Sequence, residues 1–148
     1  MSGHVPNVRG AMSALLALAA AAGLALLAPV QARAAATPVK AVKTWTGRVP
    51  AGVPPPLVSS LATPQALRQV WALCQVKGEV PEIDFGTHLV VLAARRSSVV
   101  RFRRLAVEDG NLKTDIAVAP DMPDHHTCAL ALVRREGIAR VNGAPPGR

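Results

Sequence analysis

Residues 89–118 read LVVLAARRSSVVRFRRLAVEDGNLKTDIAV, and this stretch decides the fold. Leu89 to Ala94 form a continuous apolar run. A strand with no polar alternation has both faces covered, so this run predicts a central strand. Asp109-Gly110-Asn111 is a tight-turn signal. On either side of it, Val99–Val107 and Leu112–Val118 predict an antiparallel hairpin. Val100 and Phe102 share one parity and Leu105 and Val107 the other, and a bulge near Arg103-Arg104 reconciles them.

Working outward, Thr63-Pro64 is an N-cap followed by proline at the first helical position. Leu67, Val70, Trp71 and Cys74 then recur at helical spacing, predicting one helix over Pro64–Val76 that ends in a left-handed Gly78. Glu82–Phe85, His126–Val133 and Ile138–Val141 are the remaining strand candidates. The sum is an α+β domain. One helix packs on a curled, mostly antiparallel sheet of about five or six strands, barrel- or sandwich-like.

At the N-terminus, Arg9 precedes an uncharged Ala/Leu run from Ala11 to Ala28. Pro29 and the small-residue site Ala32-Arg33-Ala34 follow, an order that predicts a cleaved signal peptide over residues 1–34. The expected location is therefore secreted or periplasmic. Pro-rich residues 35–56 read as a linker with a short strand near Thr44–Val49. Residues 57–143 are the domain and 144–148 a loose tail.

Composition narrows the function. The chain of 148 residues carries a net charge of +8. Without Arg9 and Arg33, Lys+Arg falls from 17 to 15 against 9 acids, leaving +6. Phe85, Phe102, Trp45 and Trp71 are the only aromatics, which disfavours base stacking and hence nucleic acid as a partner. No Gly-rich phosphate loop, G-x-S-x-G or H-E-x-x-H is present, so neither an enzyme nor a cofactor is expected.

Three groups of residues have chemistry to offer. Arg95, Arg96, Arg101, Arg103 and Arg104 crowd ten positions, and with Arg134 and Arg135 they suggest one basic face or rim for an anionic group. Cys74 on the helix stripe and Cys128 on a buried strand suggest a disulfide from helix to sheet, worth about 4 kcal/mol in the chain-entropy model. Asp121, Asp124, His125, His126 and Cys128 are all transition-metal ligand types. His125 and His126 are neighbours in a strand and point to opposite faces, which leaves Asp124, His126 and a distant His88 as the metal set.

Trp71, then Pro81-Glu82-Ile83-Asp84-Phe85, then Leu89–Leu92 and a Gly-turn hairpin form a series that resembles the C-terminal domain of the PrcB family of protease-complex accessory subunits. The likeness spans Leu57–Asn142. The family's Gly-Gly-Tyr after the apolar strand is replaced by Ala93-Ala94-Arg95-Arg96-Ser97-Ser98. The resemblance implies an exported, non-catalytic accessory module. The expected function is thus contact with a protein or an anionic envelope component, with a membrane met only through an uncleaved leader or surface charge. The alternatives are a periplasmic metal- or small-ligand-binding protein using His125–Cys128, or a purely structural domain.

Overall fold

The computed structural model describes residues 35–147. The leader reading for residues 1–34 lies outside them, as does Arg148 of the tail. The chain forms β1 (Thr37–Pro38), β2 (Lys43–Val49), β3 (Ser60–Leu61), α1 (Pro64–Leu73), β4 (His88–Arg95), β5 (Val100–Glu108), β6 (Asn111–Val118), β7 (His126–Arg134) and β8 (Arg140–Val141). Among the described residues no helix is long and apolar enough to cross a membrane.

The strands form two open sheets of four, not the single curled sheet of five or six expected from sequence. Sheet A runs β1-β5-β6-β8 and sheet B runs β2-β7-β4-β3. The correction has a simple cause. β4 and β7 pair along their whole length at the centre of sheet B, and both are apolar on both faces. Val90, Leu92, Cys128 and Leu130 face Leu67, Val70 and Trp71 of α1. Leu89, Val91, Ala131 and Val133 face the other way, onto Leu105, Leu112, Ile138 and Val141. Among the described residues α1 is the one helix, and it covers only one face. Had the β5–β6 hairpin extended sheet B edgewise, the second face would lie in water, a loss of about 2 kcal/mol for each large aliphatic side chain. Stacking the hairpin on that face buries it instead.

Three of the local signals behave as read: the hairpin turn, the bulge and the helix cap. Asp109 and Gly110 both have positive φ, 51° and 71°, the two-residue turn that matches strand twist. The β5–β6 register breaks between Phe102 and Arg104, so Val100, Phe102, Leu105 and Val107 all face the core. Thr63 caps α1, its Oγ1 accepting from Ala66 N–H at 3.2 Å. The helix ends sooner than expected. Gln75, with φ 45°, takes the left-handed position, and the bonds from Gln75 N–H to Ala72 and from Val76 N–H to Trp71 close a Schellman motif. Glu82–Phe85 form no strand.

Residues 35–56, read as a linker, carry two paired strands. β1 lies beside β5, and β2 lies beside β7 over all seven of its residues. Trp45 of β2 packs edge-on against Trp71 of α1, ring centroids 5.5 Å apart. The tail is tied as well: Gly147 N–H donates to Ser60 Oγ at 3.1 Å.

Gly47 is the point where helix, edge strand and central strand meet. It sits opposite Cys128 in the β2–β7 register, and a Cβ there would collide with the main-chain carbonyl of Cys74. The obstacle is main chain and not the end of a flexible side chain, so backbone would have to shift. Gly47→Ala is expected to lower stability by about 2 kcal/mol. The measurement is the denaturant midpoint at unchanged m-value, with exposed Thr46→Ala as a near-neutral control.

Candidate functional site

The cations of the hairpin gather on the outer face of sheet A. Because the bulge turns Val100, Phe102, Leu105 and Val107 inward, the residues between them turn outward. The register places Arg101 beside Ala117, Arg104 beside Asp115, and Lys113 beside Ala106. Arg140 of β8 lies next to Asn111 on the same face. Arg103, at the bulge, reaches Asp115 Oδ2 with Nε at 2.9 Å and Nη2 at 2.8 Å. Both partners are solvated, with side chains 73% and 46% exposed, so the pair adds at most about 1 kcal/mol. Its main effect is to tie one guanidinium to Asp115 of the neighbouring strand. Arg101, Arg104, Lys113 and Arg140 make no ion pair among the described residues. Lys113 and Arg140 were missed in the sequence, although the period-two alternation after Asn111 marks the first of them.

The other four arginines do not join this face. Arg95 and Arg96 end β4, where Arg95 Nη1 donates to Ala94 O at 2.8 Å and Arg96 Nε to Pro123 O at 2.6 Å. Arg134 lies opposite His88 at the far end of the β4–β7 ladder. Arg135 is half-buried and donates to Phe85 O at 3.1 Å, clamping the turn before β4. The expected single rim of seven arginines is therefore one face and two separate ends.

The proposed metal set is also separated. His88 starts β4 and His126 starts β7, and these strands run antiparallel. Eight residues of strand divide them, roughly 26 Å. Asp124 stays near His126 but contacts His125, Oδ1 to Nδ1 at 3.2 Å. Nε2 of His125 is buried without a partner. Among the described residues no three His, Cys, Asp or Glu side chains are placed to hold a metal. A shallow groove of about 510 Å³ near Pro38–Val42 is lined by Lys40, Arg134 and Glu136 but by no histidine or cysteine.

Asp84, Thr87 and His88 form a hydrogen-bonded chain. Thr87 Oγ1 lies 2.9 Å from Asp84 Oδ2 and 2.9 Å from His88 Nδ1. The carboxylate only accepts, so the hydroxyl proton points to Asp84 and Nδ1–H of His88 donates to Thr87. Gly86 N–H also donates to Asp84 Oδ1 at 2.9 Å. Bonds from Gly86 and Thr87 hold the Asp84 carboxyl below its ordinary range. The chain closes the turn before β4.

Cys74 and Cys128 are both fully buried, and both are free thiols in this structure. Their hydrogen bond, together with burial, pushes the Cys74 thiol far up. A thiol held protonated in an apolar core is a poor nucleophile.

At the Arg96 end, Asp121 ties two loops together. Its Oδ1 accepts from Ser98 N–H at 3.0 Å and from Ser97 Oγ at 3.2 Å, and Thr127 Oγ1 donates to Ser97 O. Bonds from Ser98, side chain then backbone, hold the Asp121 carboxyl below its ordinary 3.8. A depressed carboxyl stabilises the fold above its unfolded value and loses that contribution as pH falls through the folded one. Carboxyl NMR is expected to give Asp121 a midpoint below 3.8, with Ser98 amide protection lost through the same titration. Asp121→Asn should remove that pH dependence. Comparison with known protein families, characterised proteins and solved structures found no match to this chain.

Proposed function

We propose that this protein is an exported, non-catalytic binding or accessory domain that meets an anionic partner through the outer face of sheet A. The observation that carries this reading is the row of Arg101, Arg104, Lys113 and Arg140 on one solvated sheet face, with Arg103 braced beside them by Asp115. Planar guanidinium forks on a flat surface suit phosphate, sulfate or carboxylate groups presented by an extended anionic surface. The resemblance to protease-complex accessory subunits supports an accessory role.

Phosphatidylglycerol vesicles and heparin are suitable probes. Binding is expected at low ionic strength and should weaken steeply as added salt shortens the screening length. Arg101→Glu with Arg104→Glu should weaken it at least tenfold, whereas Arg95→Glu with Arg134→Glu should change it little. Equal losses in the two double variants would reject the sheet face as the contact.

The neighbouring Cys74 and Cys128 thiols would close as a disulfide on reaction with a thiol–disulfide oxidant, tying α1 to sheet B. Closing that long loop adds about 4 kcal/mol. The exported protein is expected to melt several degrees lower after reduction. Two free thiols by mass, counted after unfolding without reductant, would rule the bond out.

A further inference from the structure

The two sheets expose four edges, formed by β1, β8, β2 and β3. Three of these strands are only two residues long. Very short edge strands protect a sheet from unwanted pairing. β2 is the exception: seven residues in unbroken register with β7, from Lys43 opposite Leu132 to Val49 opposite His126. It contains no proline, and no register shift turns it away.

One bond sets the direction of its free groups. Arg48 N–H points away from β7 and donates to Cys74 O, so the end of α1 closes that part of the edge. By the period of a strand, the main-chain groups of Thr46 and Thr44 point the same way. Among the described residues nothing bonds their amides. Both threonines are exposed.

The segment that forms this edge carries charge of one sign. Residues 35–78 contain no Asp or Glu, and carry Lys40, Lys43, Arg48, Arg68 and Lys77. Lys43 and Arg48 project to opposite faces of β2, Lys43 lying 5.6 Å over the Trp45 ring. A second copy of the chain would bring two acid-free, cationic edges together.

We propose that the β2 edge binds an extended acidic segment of a partner protein as an added strand. Main-chain bonds to Thr44 and Thr46 supply the pairing. Carboxylates on the two faces of the incoming strand meet Lys43 and Arg48. This site lies on sheet B and is independent of the arginine face of sheet A.

The test uses the 15N-labelled chain and a capped octapeptide of alternating Glu and Val. Saturating peptide is expected to slow amide exchange at Thr44 and Thr46 at least tenfold. The same peptide N-methylated throughout, which keeps the charges but cannot donate, should have no such effect, nor should a Lys/Val peptide. The Arg101→Glu, Arg104→Glu variant should respond like the wild type. Thr46→Pro, which removes an outward donor without touching the β7 ladder, should abolish the response. If that variant does not fold, the peptide series still decides. Unchanged exchange at Thr44 and Thr46, an equal effect of the N-methylated peptide, or a peptide-free dimer that protects the same two amides would each overturn the proposal.

Discussion

β4 and β7 have no polar face. Val90, Leu92, Cys128 and Leu130 on one side and Leu89, Val91, Ala131 and Val133 on the other must all leave water. Sheet B must therefore be the middle layer of three. α1 is the layer on one side and the β5–β6 hairpin with its two short neighbours is the layer on the other. Once the hairpin is committed to covering sheet B, its own outward face has to be polar, and that is where Arg101, Arg104 and Lys113 lie. Core packing thus determines where the cations are displayed.

Signals that act over a few residues were legible in the sequence. Thr63-Pro64, Asp109-Gly110 and the parity change at Arg103 each name a local backbone geometry, and each is found. The partition into two sheets was not legible. Whether a hairpin lies beside a strand or on top of it depends on contacts distant in sequence, and the apolar pattern of the hairpin is the same in both cases. β1 was hidden for a similar reason, and β2 was legible only as a short strand near Thr44–Val49. Prolines and alanines around residues 35–56 suggest open chain, and the vacant side of β7 takes residues 43–49 as a full edge strand. At the helix end Gly78 was the better left-handed residue by type, yet packing of Val76 into the core puts Gln75 in that role.

The candidate site divides in the same way. Arg101, Arg103 and Arg104 were readable because the hairpin alternation orients them. Arg134 and Arg135 were grouped with them by composition, but the antiparallel course of β7 carries them to the opposite end from Arg95. His88 and His126 part for the same reason. Residue type proposed the chemistry in each case, and strand direction decided which groups can meet.

The pairing of β2 with β7 also governs how the fold is assembled in time. The strand made near the start of the described chain waits for one made near its end, and the helix carrying Cys74 rests on both. Chain closure over so long a span is slow, and little of the middle layer exists until it happens. A ribosome-tethered chain lacking residues 126–134 would hold its hairpin and its helix as separate fragments. The domain should then snap shut in one late, cooperative event.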